Sequence, residues 1–463
     1  MRIDLCTPMR APGVLELALG ITPVRFGIPQ PVRGMATDSR EVRPGDLFLA
    51  LPGEKTDGTR FLSEALSRGA CALLLPPGVP LPAGNYSAFE SQDPLQTLLR
   101  AAAFRRSFSA ARVIAVSGSS GKTSIKDALF ALLSEKETVQ KSKGNHNSLL
   151  GMPLSLLSME EADDFVLELG VNHPGEMERL SRALSPDICV LTNIGTAHVG
   201  MFESPAALAL EKAKIVCGLR PGGVLFCPED LPKALFTGKK VIRFGTGESA
   251  DCRVLSHHSD KNGIMADIVF GDGRINALSY PIPGRVGLTT LALCTAVGHF
   301  LGLSEEELRT GLASAGKTHP RMQTEKIGPF SLIDDSYNAS PEAMAAAFES
   351  LSLMADGKPY GAVLGDMEEL GSYSESLHDA VGEYAAKAGL SFLFLCGRYA
   401  KFTAAGARRG HMKEEAIRIF ENDGAEQIAC ELLKTLPADA WILLKASHRA
   451  GLWRVKQALG RLV

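Results

Sequence analysis

The sequence predicts an α/β chain of three domains: an N-terminal α/β domain, a central phosphate-loop domain with a parallel sheet plus a small antiparallel sheet, and a C-terminal Rossmann-like domain. Three observations carry this. The length of 463 residues corresponds to about three domains at roughly 100–200 residues each. In two separate stretches, short apolar runs alternate with helical segments, the pattern of a parallel sheet covered on both faces. One of those runs opens into a Gly/Ser loop that ends in Lys-Thr and starts a helix. The divisions are expected at 1–109, 110–316 and 317–463.

Composition narrows the functional classes. With 45% hydrophobic and 22% charged residues, the chain can build several cores, which excludes disorder, collagen-like repeats and a coiled coil. Lys+Arg 49 against Asp+Glu 52 leaves a net charge of -3, so no basic excess is available for a long polyanion and no nucleic-acid partner is expected. The start, Met-Arg-Ile-Asp-Leu-Cys-Thr-Pro, has an acid and a proline where a signal peptide needs an apolar core. Later apolar runs are too short or broken to cross a bilayer, so no membrane insertion is expected. The nine cysteines are scattered and never in C-x-x-C spacing; they read as small buried hydrophobes of a cytoplasmic protein.

The elements follow in order. The first stretch mixes short strands with Gly/Pro turns, densest in Thr37-Asp-Ser-Arg-Glu-Val-Arg-Pro-Gly-Asp-Leu-Phe-Leu-Ala-Leu-Pro-Gly53. Phe104-Arg-Arg-Ser-Phe-Ser-Ala-Ala-Arg112 reads as a helix end and linker. The second stretch opens with the strand Val113-Ile-Ala-Val116 and continues with Phe165-Val-Leu167, Ile188-Cys-Val-Leu191 and Val224-Leu-Phe226. Then Val241-Ile-Arg-Phe244, Arg253-Val-Leu255, the run from Ile264 to Phe270 and the turn Gly271-Asp-Gly273 are expected to form antiparallel hairpins. Gly316-Lys-Thr-His-Pro320 reads as a linker. The third stretch carries the strands Ser331-Leu-Ile333, Gly361-Ala-Val-Leu364, Phe392-Leu-Phe-Leu395 and Trp441-Ile-Leu-Leu444. Hinges are expected near Arg112 and Gly316.

The strongest local signal is Val113-Ile-Ala-Val-Ser-Gly-Ser-Ser-Gly-Lys-Thr-Ser-Ile-Lys126. Gly118 and Gly121 let backbone N–H groups curl around phosphate oxygens, and the helix that follows adds partial positive charge at its N-terminus. Lys122 can neutralise the β/γ-phosphates and Thr123 can offer a hydroxyl to Mg²⁺. The common phosphate loop has a glycine where this chain has Val116, so the motif is the compact G-x-x-G-K-T. A second candidate, Phe244-Gly-Thr-Gly-Glu-Ser-Ala250, fits the dinucleotide fingerprint, but strands rather than a helix are expected after it, which leaves no helix end for a pyrophosphate.

In a parallel sheet, ligands gather at the carboxyl ends of strands. Glu168 follows Phe165-Val-Leu167 and is a natural Mg²⁺ ligand there, although it also reads as a solvated strand-end glutamate. Thr192-Asn-Ile-Gly-Thr-Ala-His198 follows the strand ending at Leu191, which puts His198 on a loop at the same edge. Ser204-Pro205 starts a helix, with Ser as N-cap and Pro at its first position. On that helix Lys212 shares the apolar face of Leu208, Ile215 and Val216, while Lys214 reads as solvated. An inward lysine has a lowered pKa or an anionic partner; as a neutral amine it can add CO₂ to form a carbamate, and otherwise it snorkels from the core edge.

Together these residues resemble the Mur ligases over nearly the whole chain and in the expected order. The resemblance rests on Asp38-Ser-Arg40 with Gly45-Asp-Leu-Phe48 and Asp57-Gly58, on Ser117-Gly-Ser-Ser-Gly-Lys-Thr123, and on Gly144-Asn-His-Asn147 with Gly151-Met-Pro153. Glu168-Leu-Gly170, the loop ending at His198, and Lys212 follow. The C-terminal pieces Arg321-Met-Gln323, Ile333-Asp-Asp-Ser-Tyr-Asn-Ala-Ser-Pro341 and Leu364-Gly-Asp-Met-Glu-Glu-Leu-Gly371 with His378 are similar to one branch of the family. That branch joins D-alanyl-D-alanine to UDP-N-acetylmuramoyl-tripeptide with ATP, through an acyl phosphate.

The resemblance implies specific roles. Ser117, Gly118, Ser119, Ser120, Gly121, Lys122 and Thr123 hold ATP; Arg321, Asp335 and Asn338 complete that site from the third domain. Thr123, Glu168, His198 and a carbamylated Lys212 place two Mg²⁺ ions. Asn145 and Asn147 line the catalytic cleft, and Ser39 and Arg40 sit near the UDP end of the nucleotide substrate. A cytoplasmic monomer making a peptidoglycan precursor is expected. The chain departs from the family pattern at Pro283-Gly-Arg-Val-Gly-Leu-Thr-Thr290, where adenine contacts are usual, at Lys214, and at Lys445-Ala-Ser-His448 with Arg449. Val286 and Thr290 are not expected to be adenine ligands. The alternatives are another Mur-type ligase, a folylpolyglutamate-type ligase, or a non-catalytic nucleotide-binding relative.

Overall fold

A computed structural model of the chain describes all residues except 12, 54–55, 272, 318–323 and 422–423, and describes 316–317 without their side chains. Three sheets form from three successive stretches of sequence. The first holds β1 (Arg2–Asp4), β2 (Gly34–Ala36), β3 (Asp46–Leu49), β4 (Ala72–Leu75) and β5 (Ser87–Glu90), in that spatial order. Among the described strand pairs of this sheet, only β1–β2 is antiparallel. Every residue of β3 and β4 is buried, which is why 47–49 and Ala72–Leu75 appear in the sequence as apolar runs rather than as alternation; the buried Asp46 that opens β3 is paired with Arg2.

The central sheet holds β6 (Arg112–Ser117), β7 (Val139–Lys141), β8 (Asp164–Glu168), β9 (Ile188–Leu191), β10 (Val224–Pro228), β11 (Lys240–Gly245), β12 (Cys252–Asp260), β13 (Gly263–Phe270) and β14 (Gly273–Tyr280). Its order is β14-β13-β12-β11-β10-β9-β6-β8-β7. The hairpin expectation is corrected in one part. Val241 to Phe244 lies in β11, which runs parallel to both β10 and β12; β12, β13 and β14 do form the antiparallel part, and they extend the same sheet. Phe244 pairs with Cys252 and Gly245 with Arg253, so β12 starts beside the carboxyl end of β11 and runs on in the same direction; the local strand signal was correct but its direction depends on that connection. One residue of the expected turn at 271–273 lies outside the described residues.

The C-terminal sheet holds β15 (Thr324–Ile327), β16 (Phe330–Asp335), β17 (Tyr360–Leu364), β18 (Phe392–Cys396), β19 (Ile417–Phe420) and β20 (Trp441–Lys445). The order is β15-β16-β20-β17-β18-β19, parallel except for the edge strand β15. Gly316 lies in the helix Glu305–Lys317, and 318–320 of the expected linker lie outside the described residues.

One apolar core crosses from the central sheet into the C-terminal unit: Leu191, Val199 and Phe202 belong to the same buried cluster as Ile333, Ala339 and Met344. Another ties the N-terminal sheet to Leu154 and Leu157 of the helix Gly151–Ser158. At the start of β6, Arg112 makes two bonds to Asp164, of 2.7 and 2.8 Å, which fastens the residue next to the expected first hinge into the sheet. All nine cysteines are free thiols, and seven of them are buried.

Candidate active site

Strand order brings the chemistry to one place. β6 lies between β8 and β9, and its helix departs toward β7 on one side before the chain crosses to β9 on the other. The crevice at the carboxyl end of β6 is therefore the topological switch point, where an open α/β sheet binds ligands. Register then fixes which residues reach it: Val116 pairs with Glu168 and Ser117 with Leu191. The phosphate loop, Glu168 and the loop from Thr192 onward thus leave the sheet side by side.

The loop turns on two glycines in the left-handed region, Gly118 at φ 147° and Gly121 at φ 77°. A side chain on Gly118 would also collide with the Thr192 hydroxyl. The helix Lys122–Leu133 starts immediately after Gly121, which aims its free amides at the crevice. Asn193 braces the loop. Its side-chain oxygen accepts from the N–H groups of Ser119 and Ser120 at 3.1 and 3.0 Å. Its amide donates to Ser120 Oγ at 2.8 Å. Lys122 Nζ donates to the Gly118 carbonyl at 2.9 Å.

Thr123 Oγ1 donates to Glu168 Oε2 at 2.8 Å, and Asn147 Nδ2 donates to Glu168 Oε1 at 2.7 Å. A hydroxyl and a carboxylate so placed beside a phosphate loop are the hard oxygen donors that Mg²⁺ takes. Lys212 lies on the helix Pro205–Ala213, capped by Ser204 with Pro205 in its first turn. Its neighbour Glu211 fixes that helix by accepting from Met177 N at 2.9 Å and pairing with the half-exposed Lys214 at 2.7 Å. Lys212 is buried, and its Nζ lies 3.5 Å from the Gly118 carbonyl. Burial, reinforced by the charge of Lys122, pushes its pKa down to about 7, against weaker opposition from Glu342 and Glu211. His198 lines the same cleft as Glu168, but its Nδ1 is paired with Glu369, whose carboxyl that bond holds below the usual range.

The far wall is the carboxyl edge of the C-terminal sheet. Asp335 and Lys445 end neighbouring strands in register and form a buried ion pair. Lys445 also donates to the Asn338 carbonyl at 3.1 Å. Glu342, in the first turn of the helix Pro341–Ala355, accepts from Thr196 N at 2.7 Å and Thr196 Oγ1 at 2.9 Å. Gly200 N donates to the Glu369 carbonyl at 2.9 Å. The two sheet edges enclose a cleft of about 950 Å³ lined by residues of both units.

Of the residues singled out in the sequence, Ser119 to Thr123, Asn145, Asn147, Glu168, His198, Asp335 and Asn338 line this cleft. Ser117 and Lys212 are buried beneath it. Arg321 lies outside the described residues. Ser39 and Arg40 follow β2 in the N-terminal sheet, away from the cleft. Ser39 is buried and donates to Glu64 at 2.7 Å, whereas Arg40 is exposed beside Asp38. Val286 and Thr290 do line the cleft, but the Thr290 hydroxyl is spent on the Val286 carbonyl at 2.8 Å. The rejected fingerprint holds no helix: the N–H groups of Thr246 and Gly247 bind Glu229 at 2.8 and 2.5 Å, so a carboxylate of the chain fills that turn.

Sequence reasoning gave no role to Asn193, Glu342, Glu369 or Lys126. Glu342 had a signal, the helix-start pair Ser340-Pro341; so did Lys126, one helical turn from Thr123. Asn193 and Glu369 act across chain separations no local pattern shows.

Comparison with known proteins agrees with this geometry. Residues 31–90 match the model "Mur ligase family, catalytic domain", 116–298 the Mur ligase middle domain, and 320–448 the Mur ligase glutamate ligase domain. The chain is 34% identical to the UDP-N-acetylmuramoyl-tripeptide–D-alanyl-D-alanine ligase of Bacillus subtilis, over 90% of this chain and 91% of that one. The crystal structure of MurF from Acinetobacter baumannii superposes with a TM-score of 0.86 at 26% identity, covering 99% of both chains. That of MurF ligase from Thermotoga maritima in complex with ADP gives 0.80 at 27% identity, over 92% of this chain and 97% of that one. Three family domains, matched in order onto the three sheets and onto both walls of the cleft, make this chain a member of the Mur ligase family.

Proposed function

We propose that the protein is an ATP-dependent ligase that adds D-alanyl-D-alanine to UDP-N-acetylmuramoyl-tripeptide, giving the UDP-linked pentapeptide precursor of peptidoglycan. The observation that carries this is the facing of a phosphate loop by a second α/β unit across one cleft, in a chain whose relatives over nine-tenths of its length bear that name. The functional divisions are 1–109 for the UDP-linked substrate, 110–316 for ATP and 317–463 for completing the ATP site.

A carboxylate does not acylate an amine in water, so it must be activated. A carboxylate oxygen of the tripeptide attacks the γ-phosphorus of ATP, and ADP leaves. The dipeptide amine attacks the resulting acyl phosphate, which loses inorganic phosphate and a proton as the amide forms. Residues 117–123 hold the phosphates with main-chain amides, and the Lys122 ammonium balances charge on the transferred group. Asp335 and Asn338 contact ATP from the opposite wall, and Arg321 is assigned to ATP by the family resemblance alone; Asn145 and Asn147 line the substrate side. Arg40, exposed beside Asp38, and Ser39 serve the UDP end. Docking of the two walls excludes water that would hydrolyse the acyl phosphate.

Thr123, Glu168, His198 and a carbamylated Lys212 are assigned to two Mg²⁺ ions, which neutralise phosphate charge when bound. The donor set fits at Thr123 and Glu168; His198 must first leave Glu369. A buried lysine with a pKa of about 7 is a free amine in about half of the molecules at neutral pH, able to add CO₂ and release a proton. Among the described residues no helix is long and apolar enough to cross a membrane, and the protein is proposed to act as a cytoplasmic monomer. Phosphate release across a panel of UDP-linked peptides and amines tests the assignment. Release should require ATP, the tripeptide and D-alanyl-D-alanine together; release with another amine or none at all overturns it.

A further inference from the structure

Lys126 is 2% exposed, and the reaction proposed above gives it no work. A lysine ammonium is rarely buried unless several acceptors are built around it. Its Nζ donates to the carbonyl oxygens of Ser142 and Gly144, each at 3.0 Å, with Asp127 Oδ1 at 3.6 Å. Asp127 in turn pairs with Lys141 at 2.8 Å. Two consecutive residues of the helix Lys122–Leu133 therefore clamp 141–144, the segment leaving β7.

That segment leads directly into Asn145 and Asn147. Its other attachments run to Glu168: Glu168 N donates to Ser142 Oγ at 3.2 Å, Gly170 N donates to the Asn147 carbonyl at 2.8 Å, and Asn147 Nδ2 holds Glu168 Oε1. The second oxygen of Glu168 meets Thr123, which is three residues before Lys126 and so on the same face of the helix. Thr123 and Lys126 thus address the same carboxylate, one directly and one through the loop.

We infer that Lys126 is a positioning residue: its buried ammonium fixes the loop 142–147 so that Asn147 and Glu168 stand preset for a divalent cation on the nucleotide. The role rests on the reading that Thr123 and Glu168 receive that cation. The charge matters as well as the reach, because carbonyl oxygens that converge without a cation repel one another and the loop loses its single arrangement.

The test is Mn²⁺ binding, followed by electron paramagnetic resonance in the presence of a non-hydrolysable ATP analogue, on the full chain and on Lys126→Met. Outer residues that orient metal ligands typically change metal affinity by about 10–100-fold, and a loss of that size is expected in the folded variant, with analogue binding in the absence of metal unchanged. A purely structural lysine would lower the melting temperature and leave Mn²⁺ affinity alone, and that result overturns the inference. Should K126M not fold, Lys126→Gln, which keeps an amide NH₂ donor and removes the buried charge, decides by the same measurement. Wild-type protein that binds no Mn²⁺ with the analogue overturns the cation site itself, and this inference with it; wild-type binding that K126M or K126Q retains in full overturns this inference alone.

Discussion

Lys212 and Lys122 are both lysines beside the phosphate loop, yet Lys212 is buried and Lys122 lines the cleft. Lys122 lines the cleft at the mouth of the loop, so Lys122→Ala should reduce turnover by about 10²-fold or more, read as phosphate release. Burial pushes Lys212 down to about 7. The unfolded chain binds the Lys212 proton up to its ordinary value of 10.5, whereas the folded chain releases it near 7. Stability attributable to this side chain therefore rises with pH through that window. Lys212→Met should be more stable than the native protein at pH 7, and the difference should shrink as the pH approaches 10; a gap that does not move with pH contradicts the assignment. Lys212→Ala should lose ligase activity that acetate or another short carboxylate partly restores, because the carboxylate replaces the carbamate.

Elements place side chains in ways that depend on their ends. The loop after β17 is held by His378 of the helix Ser374–Lys387. Its Nε2 accepts from Met367 N at 2.9 Å while Nδ1 donates to the Ser374 carbonyl at 2.7 Å. Both ring nitrogens are used only if the ring is neutral, and burial lowers its pKa to match. A His whose folded pKa is lowered contributes stability at and above its unfolded value near 6.5 and loses it as pH falls below that value. His378→Ala should cost about 1–3 kcal/mol by leaving the Met367 amide unpaired, and thermal melts should show the native protein losing part of that advantage in acid. Equal melting temperatures would mean that the loop is held by something else.

At the scale of the molecule, the loop 192–200 joins the two walls. On one side Asn193 binds the phosphate loop; on the other, Glu342 holds Thr196 and Glu369 holds His198 and Gly200. The fit is close enough that a side chain on Gly200 would strike the backbone of Gly371. Glu342→Ala should loosen this docking without touching the phosphate loop directly. Hydrogen exchange at 195–200 should quicken, and turnover should fall more than ATP binding does. Unchanged exchange would show that the apolar core shared by the two units holds them without Glu342.

Strand positions, the phosphate loop, the capped helix bearing Lys212 and the inward face of that lysine were set by local sequence. Glycine conformational freedom, helix-start chemistry and apolar periodicity act over a few residues. What needed the tertiary structure was everything decided by register and by the meeting of distant segments. β11 is parallel because of where its connections return it. The two carboxylates that clasp the 192–200 loop come from a helix start and a loop of the C-terminal unit. His198 pairs with Glu369, 171 residues away in the chain, and Lys126 is buried among carbonyls that a strand end brings to it. These depend on which groups a folded backbone packs within hydrogen-bonding distance, and short-range pattern carries no record of that choice.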